Sequence, residues 1–116
     1  MAEMAIGEEL AGWGKVALLE TRGRASGRPV RAAVGFVEEP DGSLLVAAAS
    51  ETTGWARNLR ADPRCTVTIA ARSGRYEATE VDDDVRARTV TALILRYGTP
   101  AERLGHGPAF RLRPLE

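Results

Sequence analysis

The sequence predicts a mainly β chain with flanking helices, an α+β domain whose antiparallel strands curl into a small closed or half-open barrel. Two observations carry that expectation. About six short apolar runs are separated by turns rich in glycine, proline and aspartate. One short helical stretch interrupts them between the third and fourth runs, a pattern that suits a barrel better than a sandwich. At 116 residues the chain suits one domain, 1–116, burying roughly two-thirds of its unfolded surface. No repeat, linker or low-complexity stretch divides it.

Residues 1–13 read as a short N-terminal helix or arm, with Met4, Leu10 and Trp13 apolar and Gly7 and Gly12 interrupting the helical period. Lys15 to Thr21 and Val30 to Glu39 read as strands flanking a tight turn, with Val34 and Phe36 at period two in the second. Pro40-Asp41-Gly42-Ser43 is a turn because proline presets φ, aspartate favours the bend and glycine accepts positive φ; it leads into a strand from Leu44 to Ala49. Thr53 to Ala61 reads as a helix carrying Trp55 and Asn58 on one face, and Asp62-Pro63 ends it, since a residue before proline avoids the helical region. Cys65 to Ala71 and Arg75 to Val81 alternate apolar and polar residues and form a hairpin turning at Ser73-Gly74. A second helix runs from Val85 to Tyr97, capped by Asp83 or Asp84, striped by Val90, Leu93, Ile94 and Tyr97, and stopped by Gly98 and Pro100. The turn Gly105-His106-Gly107-Pro108 then feeds a last strand from Ala109 to Arg113.

Composition removes several function classes. Sixteen basic and 16 acidic residues leave no global field, and a general nucleic-acid binder shows a basic excess with interleaved aromatics. No apolar run approaches the ~20 residues of an integral membrane segment, and Glu3, Glu8 and Glu9 stand where a signal peptide would be basic, so a cytoplasmic protein is expected. One cysteine, Cys65, and one histidine, His106, give no metal-ligand or redox spacing, so no metal is expected. Cys65 reads as a small core residue, His106 as a surface residue, and the acidic run Glu80, Asp82, Asp83, Asp84 as a helix N-terminus with solvated charge.

Against that neutral background one loop stands out. Thr21-Arg22-Gly23-Arg24-Ala25-Ser26-Gly27-Arg28-Pro29 holds three arginines, and no acid lies between Glu20 and Glu38. It lacks the lysine and hydroxyl residue of a P-loop, and no G-x-G-x-x-G follows a strand. Guanidinium groups, the Ser26 hydroxyl and glycine-freed backbone N–H groups suit a phosphate or carboxylate, each charged hydrogen bond worth ~1.5–3 kcal/mol. A solvated arginine-rich hairpin tip is the bland alternative, because like charges ~4 Å apart in water repel by only about 1 kcal/mol.

This loop, with Leu18-Leu19-Glu20 before it, Val46-Ala47-Ala48-Ala49-Ser50 and Trp55-Ala56-Arg57-Asn58-Leu59-Arg60-Ala61-Asp62-Pro63-Arg64, resembles the deazaflavin-dependent nitroreductase family of oxidoreductases. The resemblance runs from about Val16 to the C-terminus. It implies a split β-barrel related to FMN-binding and pyridoxamine-phosphate-oxidase barrels, and binding of coenzyme F-420, a 5-deazaflavin with a phosphate and an oligoglutamate tail. It implies anion contacts at Arg24, Ser26 and Gly27, with Ala25 and Arg28 of the same turn as further cofactor-binding candidates, and ring contacts at Ala49, Ser50, Trp55 and Asn58. Tyr97 and Ser50 are the catalytic candidates, Tyr97 on the substrate side. Two cations common in the family are replaced by Ala25 and Val30, and Glu51 stands at another cationic position, where an acid would repel a glutamate tail.

The implied activity is hydride transfer from reduced coenzyme F-420 to a small organic acceptor such as a quinone, an enone or a nitroaromatic. Two alternatives stay open at this stage: an FMN-using reductase, because FMN offers one phosphate to the same turn, and a non-catalytic ligand-binding barrel. A barrel this small can complete its pocket with a second subunit, so monomer and homodimer are both open.

Overall fold

The computed structural model describes residues 15–98 and 104–115. The expected N-terminal helix or arm and the stop at Pro100 lie outside them. The described residues form seven strands and two helices: β1 (Ala17–Arg22), β2 (Pro29–Val34), β3 (Val37–Glu38), β4 (Leu44–Ala47), α1 (Gly54–Ala61), β5 (Arg64–Ile69), β6 (Arg72–Glu80), α2 (Asp83–Tyr97) and β7 (Ala109–Pro114). They form one sheet in the order β2-β1-β5-β6-β7-β4-β3 with every neighbouring pair antiparallel.

That order forces the curl. β2 and β3 occupy opposite edges of the sheet, yet only Gly35 and Phe36 separate them in the chain. Three Cα steps reach about 11 Å at most, so the sheet wraps until its edges nearly meet, giving the expected half-open barrel. The single strand read over Val30 to Glu39 is therefore two, because the chain leaves one edge and joins the other at Gly35-Phe36. α2 pins this seam. The Tyr97 hydroxyl donates to the Lys15 carbonyl at 2.7 Å and accepts from the Phe36 N–H at 3.2 Å. Gly35 makes room, since a Cβ there would sit 3.0 Å from the Tyr97 ring.

Strand alternation sorts side chains to two cores. Leu19, Val46, Val67, Phe110 and Leu112 point to the inside, where α1 adds Ala56 and Leu59 and closes one end. On the opposite face Ala47 and Ala109 receive Leu93, Val90 and Ile94 of α2, as the predicted stripe requires. Cys65 is buried inside, as expected, its thiol directed at the Tyr76 carbonyl at 3.7 Å. The Pro40 to Ser43 turn also forms as expected: Asp41 Oδ1 accepts from the Ser43 N–H at 2.9 Å and Gly42 takes φ 89°.

Two local expectations are corrected. The β5–β6 hairpin turns at Ala70-Ala71, not Ser73-Gly74: Ile69 pairs with Arg72, and Ala70 itself takes φ 54°. Ser73 and Gly74 lie inside β6 opposite Thr68 and Val67, with a 3.0 Å bond between the Thr68 and Ser73 hydroxyls. Register along the strands thus overrode the local glycine signal. The cap of α2 is Asp82, whose Oδ1 accepts from the Val85 N–H at 2.9 Å, while Asp83 and Asp84 occupy the first turn. The Val81 N–H is already bonded to the Ala109 carbonyl, so strand pairing fixes where the helix begins.

Candidate functional site

The arginine loop is a closed turn fastened to α1. The Gly23 N–H donates to the Arg28 carbonyl and the Gly27 N–H to the Gly23 carbonyl, both at 2.8 Å, with Gly27 at φ 73°. A Cβ at Gly23 would lie 2.7 Å from Ser26 Oγ, so the turn closes this tightly only around glycine. Ser26 Oγ accepts from the Arg28 N–H at 3.1 Å, which leaves its own proton free to donate.

Arg24 is the fastener. Its Nη1 donates to Asn58 Oδ1 at 2.7 Å and to the Gly54 carbonyl at 3.4 Å, and its backbone N–H reaches the same Asn58 oxygen at 3.3 Å. Asn58 Nδ2 donates in turn to Thr21 Oγ1 at 3.0 Å. Asn58 and Thr21 are 3% and 2% exposed, so this buried amide has a partner at both ends. The remaining cations are not so engaged: among the described residues the Arg22 and Arg28 guanidinium groups have no acceptor, nor do the Ala25 and Ser26 N–H groups. Of these, Arg22, Ala25 and Ser26 border an open pocket of about 460 Å³ lined by residues 22–27 with Ala61 and Asp62; Arg28 follows just outside its lining. Unpaired guanidinium, hydroxyl and backbone donors converge there, which is the donor set an oxyanion takes.

The other candidates gather at the N-terminal end of α1. Ser50 N–H donates to Thr53 Oγ1, and Thr53 N–H to the Ser50 carbonyl, both at 3.2 Å, forming the bend that launches the helix. Ala49 is exposed and Ser50 half-buried. Gly107 presses on this bend: a Cβ there would meet the Ala48 carbonyl and come within 2.6 Å of the Ser50 nitrogen. Trp55 is half-buried against the interior core, its ring centroid 6.0 Å from that of Phe110.

Glu51, read as a repulsive acid, shares one cation with a second carboxylate. Arg60 binds it at 2.8 Å and also grips Glu80 with two bonds of 2.8 Å. Those hydrogen bonds from Arg60 hold the Glu80 carboxyl below the usual carboxylate range. Arg31 points away from Val30 and pairs with Glu20 at 3.1 Å.

The structure therefore brings Arg24, Asn58 and the turn together, and places Ala49, Ser50 and Trp55 at the start of the same helix. It does not bring Tyr97 to them, because that hydroxyl is engaged at the β2–β3 seam. His106 is exposed. Sequence reasoning missed Thr21, Arg60 and Gly107. An alternating core face marked Thr21 as inward, but only the fold shows which amide meets it.

A model of the F420H(2)-dependent quinone reductase family matches residues 1–103. No curated protein matches the chain. Among solved structures, an F420-H2 dependent reductase, FDR-A, superimposes with TM-score 0.70 at 21% identity, over 85% of this chain and 94% of that one. The heme storage protein HutZ of Vibrio cholerae gives 0.73 at 22% identity, over 99% and 89%. A Listeria innocua protein assigned as a pyridoxamine 5′-phosphate oxidase gives 0.68 at 14% identity, over 99% and 92%. These likenesses establish the split-barrel fold. Among the described residues no helix is long and apolar enough to cross a membrane.

Proposed function

This chain belongs to the F420H(2)-dependent quinone reductase family, a family of oxidoreductases, and we propose that it reduces a small organic acceptor with coenzyme F-420. Bound there, the coenzyme supplies a hydride from C5 of its reduced ring, and the acceptor class that fits the family description best is a quinone, ahead of an enone or nitroaromatic. The family match lends no support to FMN in its place.

The observation that carries the reading is the Arg24–Asn58 clamp. It fixes the cationic turn along α1, from Gly54 to Asn58, and leaves Arg22, Arg28, the Ser26 hydroxyl and two N–H groups for an anion. The pocket at the turn meets Ala61 and Asp62 at the C-terminal end of α1, the Ala49-Ser50 bend and Trp55 sit at its N-terminal end, and eight helical residues span about 12 Å. A flat ring joined by a short polyol to a phosphate has that order and that reach. In this assignment Arg28, Ser26 and Arg22 hold the anion, Ala25 and Gly27 offer backbone, Ser50 and Trp55 border the ring, and Arg24 and Asn58 position the rest. Ser50, half-buried at the bend, would supply the hydroxyl that donates a proton; Tyr97 holds the barrel.

The test is a fluorescence-quench titration of the purified protein with F-420 and with FMN, followed by oxidation of reduced F-420 with a soluble quinone. Micromolar or tighter F-420 binding with turnover is expected. Tighter FMN binding, or binding without oxidation by any acceptor class, overturns the reading.

A further inference from the structure

The barrel interior is closed by α1 at one end and opens into a depression of about 270 Å³ at the other. β4 runs from Leu44 toward the Ser50 bend, and β5 runs from Arg64, just after α1, to Ile69, so Leu44 and Ile69 mark the end remote from that helix. They line the depression with Val67, while β6 supplies Arg72, Gly74 and Tyr76 and β3 supplies Glu38. Register puts all of these on inward rows. Ile69 pairs with Arg72, Val67 with Gly74, Cys65 with Tyr76 and Leu44 with Glu38, and Val67 and Leu44 are buried in the core.

Charge on an inward row departs from the period-two pattern that builds the rest of the barrel, a departure of the kind that proteins keep at functional sites. Inward charge on an edge strand also discourages pairing with another sheet, which accounts for Glu38 on β3. Arg72 lies on β6, inside the sheet, where that reason is absent. The two charges do not pair with each other, and among the described residues neither has a partner, nor does the Tyr76 hydroxyl. The neighbouring charges are accounted for: Asp41 accepts from the Ser43 N–H, Glu39 binds Arg111, and Arg113 stands on the outward row opposite Glu77. A Cβ at Gly74 would lie 3.4 Å from the Tyr76 ring, so that ring rests beside a bare stretch of strand. The rim thus carries one cation and one anion over an apolar floor, with an aromatic ring on the cation's wall.

We propose that this mouth binds a small zwitterion with an apolar body, its carboxylate on Arg72, its ammonium on Glu38 and its body on Leu44, Val67 and Ile69 beside the Tyr76 ring. The volume lies below the ~300–1,000 Å³ of a drug-sized site, so the occupant is of amino-acid size. A ligand with one charge leaves the opposite rim group unmatched, which is the source of selectivity. The site stands across the barrel from the coenzyme's place and does not depend on the deazaflavin reading. The test follows amide chemical shifts of isotope-labelled protein during titration with L-phenylalanine and with para-aminomethylbenzoate, which hold the two charges close together and far apart. At least one binds with a dissociation constant of about 1 mM or tighter, shifting Ile69, Gly74 and Tyr76 and leaving residues 22–28 in place. Phenylethylamine and phenylpropionate, with one charge each, bind roughly tenfold more weakly, and R72Q and E38Q each weaken the zwitterion by a similar factor. R88Q, which changes an exposed arginine on α2, keeps wild-type affinity and excludes a general charge effect. Equal binding of the one-charge analogues, affinity retained by R72Q or E38Q, or shifts confined to other parts of the barrel overturns the site. Binding of neither zwitterion overturns it too, and means that Arg72 and Glu38 close the mouth on each other.

Discussion

Arg24 and Asn58 are joined by a 2.7 Å hydrogen bond that ties a surface turn to a helix through an amide only 3% exposed. The most conspicuous cation of the loop is thus partly an internal strut. Its neighbours Arg22 and Arg28 carry the free charge.

Replacing Asn58 by alanine strands the Thr21 hydroxyl and frees Arg24. A buried polar group left without its partner costs about 1–3 kcal/mol. Urea unfolding of Asn58→Ala is expected to show a loss in that range, together with weaker F-420 binding as the turn loosens. Unchanged stability would show that the clamp carries no weight.

Arg28→Ala and Arg24→Ala should separate. Among the described residues the Arg28 side chain makes no bond, so its loss is expected to weaken F-420 binding by ~1.5–3 kcal/mol with stability intact. Arg24→Ala is expected to lower both binding and the unfolding midpoint. Identical behaviour in calorimetry and titration would contradict the division of labour.

Tyr97→Phe removes the hydroxyl that bonds Lys15 and Phe36. A stability loss of about 1–2 kcal/mol with kcat retained is expected. A large drop in kcat at unchanged stability would instead return Tyr97 to the substrate side.

Gly107→Ala places a methyl group against the Ala48 carbonyl and the Ser50 nitrogen. Displacement of the Ala49-Ser50 bend should raise KM for the coenzyme and cost about 1–3 kcal/mol of stability. Gly105→Ala, with no atom of the described residues within 4 Å, is the control and should be nearly silent.

Burial raises the Cys65 thiol from 9.0 to about 12. The unfolded chain ionises first, so the contribution is complete below pH 9 and is lost as pH rises from there toward 12. Cys65→Ala should flatten the alkaline limb of the stability–pH curve, and the wild-type thiol should resist alkylation at pH 8 until the protein unfolds.

Much of this was legible in the sequence. Period-two alternation marked the inward rows, proline and glycine marked the turn at Gly42, and the stripe of α2 marked its buried face. The Ala70-Ala71 reversal was not legible, because alanine rarely takes positive φ and only the pairing of β5 with β6 demands it. The split of the Val30–Glu39 run into β2 and β3 escaped for a similar reason: no local signal says that a strand changes edges. At the site, the charge of the turn was plain in the residues. That Asn58 spends its amide on Arg24 and Thr21, and that Glu51 is matched by Arg60, depends on neighbours far along the chain.

The two-residue seam at Gly35-Phe36 has a thermodynamic corollary. Because both borders of the sheet hang from the same short length of chain, neither peels away without straining the other. Amide hydrogen exchange should then report β2 and β3 opening as a single cooperative unit, at a free energy closer to global unfolding than separately frayed margins would show.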